Sequence, residues 1–163
     1  MMSRRNLLLG LGNFSAALAG VRGLFSSGPA HAARSYEVTH SDAEWKKLLQ
    51  PNQYRVLRKA GTESPHTSPL NQEKRTGVYS CAGCAVSLFS SATKFESGTG
   101  WPSFWQPLDQ AVVEESDTTL FMKRTEVLCQ RCGGHLGHVF DDGPKPTGLR
   151  YCMNGVALNF KAA

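Results

Sequence analysis

The 163-residue chain lacks low-complexity tracts, and its only internal echo is a pair of short cysteine knuckles, so repeat architectures and wholesale disorder are excluded. Its main body also lacks an excess of charge of either sign. The formal net charge is +5, but residues 1–32 hold Arg4, Arg5 and Arg22 and no Asp or Glu. The remainder has 15 basic against 13 acidic residues, a net of +2, which argues against a nucleic-acid partner. Near the N-terminus, Gly10, Gly12, Asn13, Gly20 and Arg22 interrupt the apolar stretch where a membrane anchor would lie. A span needs about 20 mainly apolar residues, so stable membrane association is not expected. Cysteine is scarce: there are five, divided four and one by spacing.

Hydrophobic residues make up 40% and aromatics 9%, enough for one packed domain at this length. Ser3-Arg4-Arg5-Asn6-Leu7-Leu8-Leu9 places two arginines directly before an apolar stretch, and Ala30-His31-Ala32 offers small residues at a cleavage site. This resembles a twin-arginine export signal; an organellar transit peptide or an uncleaved anchor is the competing reading. The expected division is a signal over 1–32 and one domain over 33–163.

Ser41-Asp42-Ala43-Glu44 fits a helix-start capping box, with Trp45, Leu48 and Leu49 forming one apolar face behind it. Pro51 ends that helix or opens the next turn, and a second helix is predicted from about Asn52 to Ala60, closed by Gly61. Residues 62–75 read as an ordered polar loop. Short strands are predicted at 78–80 and 86–89, then a hairpin of 111–114 and 119–124 turning at Glu115-Ser116-Asp117-Thr118. Val127-Leu128 leads into the second knuckle. Further strands are predicted at 138–140, 149–152 and 156–160, with a loop at 141–148.

Cys81-x-x-Cys84 and Cys129-x-x-Cys132 can supply four thiolates to one tetrahedral ion. An all-thiolate site suits one structural Zn²⁺; the alternatives are two disulfides, a thioredoxin-like redox pair or an iron–sulfur cluster. The 44 residues from 85 to 128 exceed the usual zinc-ribbon gap, so the site would clamp distant parts of the chain. Cys152 is left over. A free cysteine is commonly a small buried hydrophobe, but strand alternation would put Arg150, Cys152 and Asn154 on one face. A neighbouring cation favours thiolate, and His135 and His138 can move protons near neutral pH. Trp101 reads equally as loop packing or as a functional wall.

Gly98-Thr99-Gly100-Trp101-Pro102-Ser103-Phe104, the run Cys129 to Phe140, and Leu149-Arg150-Tyr151-Cys152-Met153-Asn154 together closely resemble the B-type peptide-methionine (R)-S-oxide reductases, from about Asp42 to Phe160. The resemblance implies a mainly β fold: two antiparallel sheets in a small barrel-like or tent-like body, with short helices at its N-terminus. It implies the R epimer of methionine sulfoxide, free or in oxidised proteins, as substrate. It also implies roles. Cys152 would be the nucleophile and pass through a sulfenic acid. Trp101 would hold the substrate methyl, with Phe104 nearby. His135, His138 and Asn154 would orient and protonate the sulfoxide oxygen, and Asp142 and Arg150 would support that network.

The chain departs from the pattern at Thr99, where many relatives carry a resolving cysteine. With four cysteines on a metal, no recycling thiol remains, so a thioredoxin-like protein or a glutathione-type thiol is the expected reductant. A lasting sulfenic acid is expected in place of an internal disulfide. Gly155 stands where many relatives have Ser, with little expected consequence. A monomer is expected. Zinc thiolates suit an oxidising compartment poorly, but twin-arginine export moves folded proteins, so metal loading would precede transport to a periplasmic or other exported location. The competing classes are a non-catalytic zinc-ribbon binding module and a thiol-based redox sensor.

Overall fold

A computed structural model describes residues 34–118 and 123–163. The expected export signal at 1–32, and Thr119 to Met122 of the expected second hairpin strand, lie outside the described residues.

The described part opens with two short helices, α1 (Asp42–Leu48) and α2 (Pro51–Lys59). The capping box forms: the Glu44 N–H donates to Ser41 Oγ at 3.3 Å, and the Glu44 carboxylate accepts the Ser41 N–H at 2.8 Å. Trp45 and Leu49 are buried, but Leu48 is 62% exposed, against the expected three-residue apolar face. The helix stops after two turns, and Leu49 is already extended (φ −106°, ψ 145°), which returns its side chain to the core. Pro51 occupies the first turn of α2, where its missing N–H costs nothing. Ala60, not Gly61, takes the left-handed position that ends α2, at φ 49°.

Among the described residues nine strands follow: β1 (Gly77–Cys81), β2 (Ser87–Ser90), β3 (Lys94–Phe95), β4 (Ser103–Phe104), β5 (Val112–Asp117), β6 (Arg124–Cys129), β7 (His135–Phe140), β8 (Arg150–Met153) and β9 (Leu158–Ala162). They form two antiparallel sheets, β2-β1-β9 and β3-β4-β8-β7-β6-β5, as the mainly β expectation requires. Tyr79, Leu88, Phe89, Phe104, Val127, Leu136 and Met153 are fully enclosed in one core, joined by Val56 and Leu57 of α2.

Several boundaries differ from the sequence-based expectation. The β5–β6 hairpin does not turn at 115–118; β5 runs through Asp117, which pairs with Arg124 both in register and by a 2.7 Å ion pair. Cross-strand charge outweighs the turn propensity of Ser-Asp. β7 begins at His135, so both histidines are strand residues. β8 ends at Met153, and a 3₁₀ turn at Gly155–Ala157 precedes β9, so Asn154 sits at that turn's start and not on the strand.

Candidate active site and metal centre

Register decides what the long sheet displays. Residues directly opposed in antiparallel strands share a face. Ser103 opposes Cys152, Cys152 opposes His138, His138 opposes Glu126, and Glu126 opposes Glu115, one polar row across five strands. On the other face, Phe104 opposes Tyr151.

Regular alternation would send His135 and His138, three residues apart, to opposite faces. A bulge in the β6–β7 ladder between Val127 and Leu128 absorbs one residue of β7, so His135 opposes Leu128 while His138 opposes Glu126. Leu128 and Glu126 lie two apart on β6, so both imidazoles share the Cys152 face. Their ring centroids are 5.4 Å apart, edge toward face.

Each imidazole is anchored by a carboxylate. His135 Nδ1 lies 2.6 Å from Glu126 Oε1, and His138 Nε2 lies 2.9 Å from Asp117 Oδ2. A carboxylate only accepts, so these nitrogens carry the protons, leaving His135 Nε2 and His138 Nδ1 as the free ring positions. His135 Nε2 is buried and has no hydrogen-bond partner among the described residues. Burial, which favours the neutral ring, pushes the His138 pKa below 6.5, and the hydrogen bond to Asp117 opposes that shift.

Cys152 opens into a pocket of about 140 Å³ lined by Trp101, His138, Phe140, Arg124, Gly137 and Asn154, with Thr62 at its rim. Gly137 must lack a side chain, since a Cβ there would lie 2.1 Å from the Cys152 carbonyl oxygen. Trp101 is fixed by its indole N–H donating to Glu63 O at 3.1 Å. The Asn154 amide oxygen accepts the Glu63 N–H at 2.9 Å and its Nδ2 donates to Leu136 O at 3.0 Å, leaving one N–H over. The Glu63 carboxylate accepts the N–H groups of Gly155 and Val156, the latter at 3.1 Å. Burial pushes its pKa up despite those bonds.

Arg150 binds Asp142 through two hydrogen bonds of 2.8 Å and lies over the Phe140 ring at 4.4 Å. Those bonds raise the Arg150 pKa, with a further contribution from the Cys152 sulfur, and hold the Asp142 carboxyl below its usual range. Of the expected site residues, Cys152, Trp101, His138 and Asn154 meet in the pocket. His135 lies beside His138, outside the pocket wall. Arg150 and Asp142 back the wall through Phe140, with no place in the lining for Asp142, which is 59% exposed.

Phe104 is the clear correction: it is fully buried, stacked on Phe89 at 4.4 Å and edge-on to Tyr79 at 4.9 Å. Its neighbour Ser103 opposes Cys152, so Phe104 must point to the opposite, core face. Gly155 is a second correction, because a Cβ there would lie 1.9 Å from Ser68 Oγ and 2.5 Å from Ser68 Cβ. Thr62, Glu63, Asp117, Arg124, Glu126, Gly137 and Phe140 were not anticipated. Alternating charge along 124–126 hints at one polar face, but its destination depends on cross-strand register.

The four remaining cysteines converge. Their Sγ atoms all lie within 4.8 Å of one another, with Cys81–Cys132 at 3.7 Å and Cys84–Cys129 at 3.5 Å. Four sulfurs about 2.3 Å from a central ion in a tetrahedron are about 3.8 Å apart, so the donor set fits a metal ion. Cys81 closes β1 of the small sheet and Cys129 closes β6 of the large one, so this centre ties the two sheets together. Arg58 of α2 donates to Cys132 O at 2.9 Å.

A small pocket with one cysteine, a carboxylate-anchored imidazole and an indole wall, on a fold whose two sheets meet at a four-cysteine centre, describes a thiol-dependent enzyme class. Residues 49–162 match the SelR domain, and the chain belongs to that family. It is 56% identical over 128 residues to the peptide methionine sulfoxide reductase MsrB of Leptospira interrogans, covering 78% of this chain and 98% of the relative. It is 59% identical over 125 residues to the protein of that name from Methanosarcina barkeri (76% and 88%), and 57% over 119 residues to that of Pseudomonas putida (72% and 90%).

Proposed function

We infer that this chain reduces the R epimer of methionine sulfoxide, free or within proteins, to methionine. The observation that carries the reading is Cys152 directly opposed to His138 in a pocket walled by Trp101, within a SelR-family domain.

The site's geometry supports the following sequence. The substrate methyl rests against Trp101, and its sulfoxide oxygen turns toward His138 and the spare N–H of Asn154. The Cys152 thiolate attacks. The substrate S–O bond breaks, an S–O bond forms on Cys152, and two electrons pass to the substrate sulfur, giving methionine and a Cys152 sulfenic acid. Sulfoxide oxygen leaves only when protonated. The imidazole pair first takes the proton of the Cys152 thiol on a free ring nitrogen and then delivers it to that oxygen, with Glu126 and Asp117 balancing the transient imidazolium charge. One external thiol then displaces water from the sulfenic acid to form a mixed disulfide, and a second thiol frees Cys152. A thioredoxin-like protein or a small thiol fills that part, since Thr99 stands at the family's resolving position.

The metal centre is read as holding one structural Zn²⁺ on Cys81, Cys84, Cys129 and Cys132. When bound, the ion would secure the junction of the two sheets, without entering the chemistry. Residues 1–32 are read as a twin-arginine export signal, on the strength of Arg4-Arg5 before an apolar stretch, which places the mature protein in the periplasm or another exported location. No helix among the described residues is long and apolar enough to cross a membrane. A monomer is the expected state.

The deciding experiment offers separated R and S epimers of blocked methionine sulfoxide to metal-loaded protein with dithiothreitol. Turnover of R alone, lost in Cys152→Ser, is expected. Turnover of neither epimer by folded, metal-loaded protein would overturn the reading.

A further inference from the structure

Three hydroxyls form a chain that ends on the nucleophile. Thr99 Oγ1 lies 3.7 Å from Cys152 Sγ, Ser97 Oγ lies 2.8 Å from Thr99 Oγ1, and Ser103 Oγ lies 2.7 Å from Ser97 Oγ. Ser103 Oγ then reaches the Trp101 carbonyl oxygen at 3.1 Å. Ser103 is fully buried. The segment is held in place from outside: the His66 N–H and Asn71 Nδ2 both donate to Gly100 O, at 2.7 and 2.8 Å.

Proton counting fixes the direction of this chain. Each hydroxyl has one proton to give. A carbonyl only accepts, so Ser103 donates to Trp101 O. Ser97 must then donate to Ser103, and Thr99 to Ser97. Thr99 has no proton left for sulfur, so Cys152 S–H donates to Thr99. In this sense every group is satisfied by a protonated thiol. Reversal satisfies a thiolate: Thr99 donates to sulfur, Ser97 to Thr99, and Ser103 to Ser97. Only the Trp101 carbonyl loses a partner.

We propose that Thr99, Ser97 and Ser103 form a reversible hydrogen-bond wire serving Cys152, with Thr99 as the group that donates to the thiolate. The residue at the family's resolving position therefore has a use of its own in this chain, which is to stabilise the reactive form of the nucleophile. Rotation of three hydroxyls is the whole event; no electron moves. The charged and titratable groups facing Cys152 from the other sides are Arg150 on its own strand, His138 on β7 and Arg124 on β6, the arginines tied to Asp142 and Asp117. The wire approaches from the remaining side, the 97–103 segment.

The inference uses the reductase reading only to name Cys152 as nucleophile, and its test needs no sulfoxide. The probe is iodoacetamide, with alkylation of the Cys152 peptide followed by mass spectrometry in metal-loaded protein across a pH series. A hydrogen bond to a charged group is worth about tenfold or more in an equilibrium. Thr99→Val, which keeps the shape and removes the hydroxyl, should alkylate about tenfold more slowly at pH 7, with its pH midpoint moved upward. Thr99→Ser should stay near wild type. Ser97→Ala, which cuts the wire one link away, should shift in the same direction by less. Metal content and the thermal midpoint check that each variant is folded. Wild-type alkylation in Thr99→Val, or an equal loss in Thr99→Ser, would overturn the proposal, whatever the outcome of the epimer assay.

Discussion

His138 and Cys152 are direct partners across the β7–β8 ladder. The imidazole and the thiol therefore project from one face at the separation of opposed side chains, and neither needs a loop to bring it to the other. A site built on paired strands is held to the precision of the sheet, and its failures should follow strand register.

Trp101 and Phe104 should separate cleanly. Trp101→Ala should raise KM for methionine sulfoxide with little loss of stability, since the ring is half-buried at the pocket. Phe104→Ala should cost about 3–5 kcal/mol of stability, with KM nearly unchanged in protein that remains folded. Steady-state kinetics beside thermal unfolding reads both.

The stability–pH profile should carry two opposing slopes. The pKa of His138 is depressed on folding, so its contribution is present above pH 6.5 and is lost as pH falls through the lower folded value. That of Glu63 is raised, so its contribution is present below pH 4.5 and is lost as pH rises through the higher folded value. His138→Gln should flatten the acid-side rise of stability with pH. Glu63→Gln should remove the opposing fall, while leaving a backbone N–H short of an acceptor at a cost of about 1–3 kcal/mol. Denaturant midpoints measured from pH 4.5 to 7.5 decide both signs.

Stripping the metal centre should loosen the junction between sheets without touching the pocket chemistry. Chelation, or Cys81→Ser, should lower the thermal midpoint by many degrees. Residual activity in the fraction still folded should keep its KM. Metal analysis by mass spectrometry should find one ion per chain, and finding none in folded protein would remove the centre from the account.

Gly155→Ser should destabilise the protein by about 1–3 kcal/mol, the scale of overpacking, because Ser68 already fills the space. Ser68→Gly should recover much of that loss in the double variant, even though Ser68 Oγ also caps the Leu70 N–H at 3.2 Å. A double-mutant cycle on unfolding free energy measures the coupling.

One turnover without reductant should leave a Cys152 sulfenic acid, seen as a single added oxygen or trapped by dimedone. Intact mass showing a stable loss of two hydrogens would instead place a knuckle cysteine in the recycling step.

Much of this was legible from the chain alone. Residue type and spacing gave the two cysteine knuckles, the leftover Cys152, the Ser41–Glu44 capping box and the glycine-rich Trp101 loop, because these depend on neighbours within a few positions. The long motifs around Trp101, His135–His138 and Cys152 gave the family, and with it two antiparallel sheets behind short helices.

Facing was not legible, because period-2 strands carry no record of which residue opposes which. The parity of β4 sends Ser103 to Cys152 and Phe104 to the core, and reading them as one aromatic segment put Phe104 on the wrong side. The β6–β7 bulge brings two histidines three apart onto one face, a placement that alternation alone forbids. Asp117 and Glu126 became imidazole anchors through pairings between strands, and the hydroxyl chain from Ser103 to Thr99 exists only because a loop folds back over β8. Local chemistry was determined by the sequence. The cross-strand register, set by packing of the whole core, decided which of those groups meet.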